Sequence, residues 1–361
     1  MGAAFAAKNA FKTPVYGQNQ APSPGRVIGA NDRIAVGFIG VGGIGGGGDC
    51  YDGGHHLVCQ NENAAKNNIV LTAVCDLSDY RVAYARKMIG GDCRGYLDHR
   101  KLLENKDIDA VTIATPDHWH ADCAIDAADA GKHIYVETPM TRYLPEAFVL
   151  ADAVRRNRTV FQIGAPICAD GTWHKAAELI QAGRLGAVIS AQDSYPRNMP
   201  RGQWNYDIPD WGRTSGDLDW ERWQGRVHAR TPYDPEAYFR WHKYYRFSAG
   251  TLGQQVALRL HPLMLATGRA EFPTRVVALG SNPVRTDQQA RPAAPERDVP
   301  EQIELIAEFA SDLHLLMTTS TINWNGLPSV ISGHKAVLEM GIDSVELKPQ
   351  KEFYQDIDPE S

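Results

Sequence analysis

The stretch Arg33-Ile-Ala-Val-Gly-Phe-Ile-Gly-Val-Gly-Gly-Ile-Gly45 decides the fold. Residues 33–39 are apolar, with the composition of a buried strand, and run straight into Gly40-Val-Gly-Gly-Ile-Gly45. The spacing of Gly40, Gly42 and Gly45 fits G-x-G-x-x-G in the context that gives that pattern meaning: a strand before it and helix-compatible sequence after. Gly40 permits the tight turn, Gly42 lets backbone approach a diphosphate, and Gly45 allows close helix–strand packing. Backbone N–H groups at the helix start, around Gly43 and Ile44, then receive the phosphates. A second apolar run, residues 69–75, ends at Asp76. A carboxylate there binds the adenosine ribose hydroxyls and repels a 2′-phosphate, so the cofactor predicted is NAD rather than NADP. The acid falls later than the usual ~20 residues after the glycines, and an insertion around residues 55–68 absorbs the excess.

Outward from this core, residues 79–88 read as a helix, 110–114 as a strand, 121–130 as a helix and 133–136 as a strand. A helix at 146–156 and a strand at 159–163 follow. Short apolar strands alternating with helices of about ten residues predict a parallel sheet covered on both faces. Beyond Gly164 the pattern changes: a helix at 174–182, a strand at 187–195, then an irregular aromatic stretch over 196–245. A stretch that long without periodicity marks a functional excursion. A helix at 250–267 precedes strand-like runs at 275–280, 304–309, 314–321, 336–340 and 345–347, whose apolar–polar alternation suits an antiparallel sheet packed on helices. The predicted organisation is an arm over 1–32, an α/β Rossmann domain over 33–164, and an α+β domain over 165–361 for substrate and oligomerisation.

Composition removes several classes. The 361 residues suit two domains, and 43% hydrophobic with 22% charged residues is ordinary globular usage. With 37 Lys+Arg against 43 Asp+Glu the charge is −6, so no basic footprint for nucleic acid exists. No apolar run approaches the ~18 residues of a membrane span. Six scattered cysteines without a C-x-x-C pair read as buried free thiols, not as a disulfide framework or zinc ribbon. Residues 2–11 are small and apolar with no charged segment before them. They are either the trimmed tail of an export signal, which places the protein in the periplasm, or a flexible start of a cytoplasmic chain.

Further motifs carry a family resemblance. Thr115-Pro-Asp-His-Trp-His120 resembles the T-P-[ND]-x-x-H loop of the Gfo/Idh/MocA oxidoreductases, and Glu137-Thr-Pro139 sits where that family has E-K-P. His174-Lys-Ala-Ala-Glu-Leu-Ile-Gln-Ala-Gly-Arg-Leu-Gly186 resembles the entry to its second domain. The resemblance covers residue 26 to the end. It implies a Rossmann domain with an open-faced, mainly antiparallel sheet, bound NAD(P), and hydride transfer on sugars or polyols. It implies cofactor contacts at Thr115, Pro116, His118, His120, Glu137, Thr138 and Pro139. It also implies pairing of subunits through the exposed sheet, hence a homo-oligomer, dimer or tetramer.

The resemblance breaks at the chemistry. The family's lysine and its D-x-x-x-H pair fall on Thr138, Gln254 and Leu258, none of which serves as a base near neutral pH. Substitutes near in sequence are His261, one helical turn beyond Leu258, Tyr195 at the end of a strand, and Lys243 in the aromatic excursion, where the adjacent His242 is a candidate base or substrate contact. Trp204, Tyr206 and Trp241 are candidates to stack on a sugar face, with Gln254 as a further substrate contact. The His118-x-His120 spacing lacks acidic or thiolate partners and reads as nicotinamide-side packing, with no metal site. The favoured function is an NAD-dependent oxidoreductase acting on a sugar, polyol or glycoside hydroxyl with an atypical catalytic set. The alternatives are a non-catalytic NAD- or sugar-binding subunit and an NAD-assisted glycosidase or lyase.

Overall fold

The computed structural model describes residues 33–43, 55–199, 201–227, 230–290 and 293–357. Ile44, Gly45, Cys50 and the predicted N-terminal arm lie outside them. The strands β1 (Ile34–Ile39), β2 (Ile69–Cys75), β3 (Arg94–Tyr96), β4 (Ala110–Ile113), β5 (His133–Val136) and β6 (Phe161–Ile163) form a parallel sheet in the order β3-β2-β1-β4-β5-β6. Helices α1 (His55–Glu62), α2 (Asp79–Ile89), α3 (His99–Leu103), α4 (Asp117–Asp129) and α5 (Leu144–Asn157) cover it. Because these strands are apolar on both faces, two cores form. Val36, Phe38 and Val74 pack with Leu57 and Val82, while Ile39, Val111 and Ile113 pack with Cys123, Ala124 and Leu150. Strand order reverses between β1 and β4, and ligands of such sheets bind in the crevice at that reversal.

Two local differences from the sequence reading bear on the site. Helix α4 begins at Asp117, just after Pro116, not at residue 121, so His118, Trp119 and His120 occupy its first turn. The short β3 and α3 were not anticipated. They bring His99 to the crevice side of the sheet.

The second half contains α6 (Gly171–Gln181), β7 (Val188–Asn198), α7 (Trp220–Trp223), α8 (Pro235–Phe239), α9 (Gly250–Thr267), β8 (Pro273–Ser281), α10 (Thr286–Gln289), β9 (Gln302–Phe309) and β10 (His314–Ser320). Strands β11 (Ile322–Asn323), β12 (Ser329–Gly333), β13 (Ala336–Met340) and β14 (Val345–Pro349) complete it. The sheet order is β14-β13-β12-β7-β10-β9-β8, antiparallel except that β10 runs parallel to β7. Trp173, Leu179 and Leu263 from α6 and α9 pack against Ala307, Leu315, Ile331 and Leu338 on one face. The other face is open: Val277, its cross-strand partner Ile306, and Leu279 are 61%, 55% and 71% exposed. The architecture is thus an α/β Rossmann domain followed by an α+β domain with an open-faced sheet.

The aromatic excursion between β7 and α9 has its own core of Trp220, Trp223, Tyr238, Phe239 and Phe247. It clasps the Rossmann domain. Leu218 bridges Ser78, the Asp219 N–H donates to the Leu77 carbonyl, and the Tyr80 N–H donates to the Asp217 carboxylate. Arg222 Nη1 donates to the Leu97 carbonyl at 3.0 Å, and the Tyr80 and Trp211 rings lie 4.7 Å apart. Of the described cysteines, Cys75, Cys93 and Cys123 are buried thiols, Cys168 is half-buried and Cys59 is exposed.

Candidate functional site

A cleft of about 640 Å³ lies between the crevice of the parallel sheet, the clasp and the start of α9. At one end Gly40 adopts φ 85°, and a Cβ there would sit 2.7 Å from the Ala114 carbonyl oxygen, so only glycine lets the chain turn across β4. Asp76 caps β2. Its Oδ2 accepts from the Val41 N–H at 3.0 Å and its Oδ1 from the Ser78 N–H at 3.1 Å, which braces the carboxylate toward the cleft. A Cβ on Gly42 would run into the Arg81 guanidinium, which also lies 5.1 Å from the centre of the Tyr238 ring. A cation held over the glycine turn is the environment a diphosphate needs. Thr115 Oγ1 lines the cleft, buried without a protein partner among the described residues. The turn, the braced acid, the cation and the orphaned hydroxyl together fit a dinucleotide.

At the other end, Glu137 and Thr138 follow β5. Glu137 Oε1 lies 2.6 Å from Nε2 of His56 on α1 and accepts from the Tyr135 hydroxyl at 2.9 Å. Burial pushes the Glu137 pKa up, but the hydrogen bond and charge of His56 outweigh it and hold the carboxyl below its usual range. Burial and the neighbouring carboxylate push the Tyr135 phenol well up. A Cβ on Gly164 would come within 2.7 Å of Glu137 Oε1, so this glycine leaves room for the cluster. His120 spans the two loops, with Nδ1 2.7 Å from the Pro139 carbonyl and Nε2 2.7 Å from that of Thr115. Asp117 Oδ2 accepts from the Ala249 N–H at 2.8 Å and from Gln254 Nε2 at 3.4 Å, which fixes the start of α9 to the Rossmann domain. Burial raises the Asp117 pKa despite the nearby His120 charge and these donors.

The predicted residues separate into two groups. Gly40, Gly42, Gly43, Asp76, Thr115, Pro116, His120, Glu137 and Thr138 line the cleft, as do Tyr206, Trp241 and Gln254. Leu258 joins them, so positions 138, 254 and 258 all line the same cleft. Pro139, Trp204 and His118 stand behind the lining. His118 is buried against Trp223 and Phe247, its Nε2 2.8 Å from the Trp223 carbonyl, and burial takes its pKa down to about 4. The two histidines of the H-x-H spacing therefore point to different partners. Among the described residues no group of three or more His, Cys, Asp or Glu is placed to hold a metal.

None of the three expected proton relays lines the cleft. Lys243 is fully buried, donating to Glu236 Oε1 at 2.7 Å, Asn205 Oδ1 at 2.9 Å and the Pro295 carbonyl at 2.8 Å. The excursion wraps its cation into an ion cluster with Asp287 and Arg297. Tyr195 lies on β7 beneath the Arg197 guanidinium, 4.8 Å from the ring centre. His261 is half-buried further along α9, and burial lowers its pKa. The sequence reading missed His56 and Arg81, and weighed beside Lys243 one further residue, His242. The last is adjacent to Lys243 but lines the cleft, stacked between Trp204 at 5.2 Å and Trp241 at 3.5 Å. Burial drops its pKa to about 3, so the ring is neutral, and its Nδ1 has no protein partner among the described residues. Among the described residues no helix is long and apolar enough to cross a membrane.

Residues 34–165 match the model of an oxidoreductase family with an NAD-binding Rossmann fold, Gfo/Idh/MocA. Over 214 residues the chain is 32% identical to glycosyl hydrolase family 109 protein 2 of Shewanella sp. (strain ANA-3), covering 57% of this chain and 42% of that protein. Over 98 residues it is 36% identical to levoglucosan dehydrogenase of Pseudarthrobacter phenanthrenivorans, covering 27% of this chain and 25% of that protein. The chain thus matches less than half the length of these curated relatives. Among solved structures, levoglucosan dehydrogenase in complex with NADH and levoglucosan superimposes with a TM-score of 0.65 at 19% identity, over 91% of this chain and 80% of that one. An NAD-binding oxidoreductase from Klebsiella pneumoniae gives 0.66 at 18% identity, over 91% and 79%.

Proposed function

We propose, on the premise that the N-terminal domain belongs to the Gfo/Idh/MocA family of NAD-binding oxidoreductases, that this chain oxidises or reduces a carbon bearing a hydroxyl on a sugar, polyol or glycoside. The observation that carries the reading is one cleft lined both by a braced acid and glycine turn and by Thr138, Gln254 and Leu258 with aromatic Tyr206 and Trp241. Asp76 would hold the adenosine ribose, the Gly42 turn and Arg81 the diphosphate, and Thr115 and Glu137 the nicotinamide half. NAD supplies a two-electron hydride acceptor. The chain's own residues supply orientation: Trp241 and Tyr206 present ring faces to an apolar sugar face, and neutral His242 hydrogen-bonds a hydroxyl without bringing a charge. Thr138 donates or accepts a hydrogen bond where the family lysine stands, and does not titrate.

The test is calorimetry with NAD and NADP, followed by absorbance of reduced cofactor across a panel of sugars, polyols and glycosides in both directions. NAD binding with turnover of a hydroxyl compound is expected. Binding without turnover of anything would instead make the chain a non-catalytic subunit. The likeness to a glycosyl hydrolase family 109 protein favours one second reading, NAD-assisted glycoside cleavage. It predicts release of an aglycone that needs bound NAD yet accumulates no reduced cofactor. The open face of the second sheet, with its row of exposed Val277, Leu279 and Ile306, supports a homo-oligomer.

A further inference from the structure

We propose that His56 is the proton acceptor at the reacting end of the cleft, replacing the family lysine absent at Thr138, with Glu137 as its positioning residue. The inference rests on the hydride-transfer reading above. The cleft's other carboxylates and histidines are held by neighbours or disfavoured as cations by burial. Asp76 is held by two backbone N–H groups, Asp117 is buried on Ala249 and Gln254, and the His99 ring, 7% exposed, has Asp126 2.8 Å from Nε2 and Asp98 3.9 Å from Nδ1. Both nitrogens of His120 face carbonyls, and His242 is locked neutral in its aromatic sandwich.

His56 differs from His99 in its greater exposure and in having one carboxylate rather than two at its ring. Its Nε2 lies 2.6 Å from a carboxylate, and an ionised carboxylate only accepts, so Nε2 carries the hydrogen and Nδ1 keeps its lone pair. A carboxylate behind an imidazole fixes the tautomer and stabilises the imidazolium formed on protonation. The side chain is 23% exposed and, like Thr138, lines the cleft, so a substrate hydroxyl can reach it. In the step, the substrate O–H bond breaks and its proton goes to His56 Nδ1. Bound oxidised nucleotide would take the C–H electron pair as hydride, leaving the substrate carbon as a carbonyl. The imidazolium then releases the proton to water. The groups bearing on its charge are Glu137 and Tyr135 from β5 and, through Glu137, His120 from α4.

Two readouts test this on the full chain. With ring-¹⁵N-labelled histidine in the NADH complex, His56 is expected as the Nε2–H tautomer, a preference that weakens in E137Q. An Nδ1–H tautomer, or a tautomer ratio indifferent to E137Q, overturns the proposal. With NAD and a panel of levoglucosan, glucose, myo-inositol and N-acetylglucosamine, H56A should lose ~10²–10⁴-fold in kcat and flatten the acid limb of the pH profile. Its Kd for NADH should stay within threefold, and added 4-methylimidazole should restore part of the rate. An H56A enzyme with unchanged kcat and profile, or one that binds NADH but is not rescued, overturns the proposal while the proposed function stands. A wild type that binds NADH and turns over nothing on the panel overturns both.

Discussion

Replacing Lys243 by methionine separates a structural cation from a chemical one. The ammonium is fully buried with three donated hydrogen bonds of 2.7–2.9 Å, and Asp287 Oδ1 lies 3.2 Å away. Removing one partner from a buried pair costs about 3–5 kcal/mol because the other charge is stranded. Here Glu236 keeps Arg240 at 2.7 Å and the Tyr244 hydroxyl at 3.0 Å, and Asp287 keeps its double contact with Arg297, so the lower end applies, about 3 kcal/mol. The uncompensated groups are the Asn205 and Pro295 oxygens. For a protein of this size, with a urea slope near 3 kcal/mol per molar, that loss moves the unfolding midpoint down by about 1 M. The assay is urea unfolding followed by tryptophan fluorescence, with NADH affinity and turnover measured on the folded variant. The expected result is the lower midpoint with kcat within about threefold of wild type. An unchanged midpoint with a hundredfold loss of kcat would refute the reasoning and return Lys243 to the chemistry.

H118F tests the cost of keeping a buried imidazole neutral. The folded pKa of about 4 lies below the unfolded ~6.5, so the unfolded chain binds more protons between these values. The contribution is fully present above pH 6.5 and is lost as pH falls toward 4. Because Trp119 Nε1 still donates to the Trp223 carbonyl at 2.8 Å, H118F should lose less Tm than wild type between pH 7 and 5, and equal losses would contradict the assignment. D76A should weaken NAD binding by about 10–100-fold, the worth of hydrogen bonds to a charged group, and narrow the preference over NADP. Calorimetry showing unchanged affinity for both would displace Asp76 from the ribose. V277D places a charge in the exposed apolar row and should shift the mass seen by light scattering toward the monomer. A folded variant of unaltered mass would locate any subunit contact elsewhere.

Local signals found most of the scaffold. The apolar runs of β2 and β5 and the helix α9 coincide with their sequence readings, because burial on both faces or one periodic stripe is written into adjacent residues. Arg94–Tyr96 is an edge strand of three residues with an arginine and a glycine, too short to show alternation. Ser329–Gly333 was likewise unmarked, since small residues frame only two apolar ones. The parallel pairing of β7 with β10 is a property of chain routing that neither strand encodes alone. The site divides similarly. Its glycine turn, acid and loop motifs are contiguous, whereas the Arg81 guanidinium over Gly42 and the pairing of His56 with Glu137 are made by distant segments. Lys243 misled because an aromatic neighbourhood reads as a binding surface, while here it encloses charges that satisfy one another.

The contacts of residues 217–222 with Leu77, Ser78, Tyr80 and Leu97 have a thermodynamic meaning. The floor of the nucleotide chamber and its roof come from opposite halves of the polypeptide. A molecule seated inside touches both and stitches them together, so occupancy should raise the tertiary stability of the two halves at once.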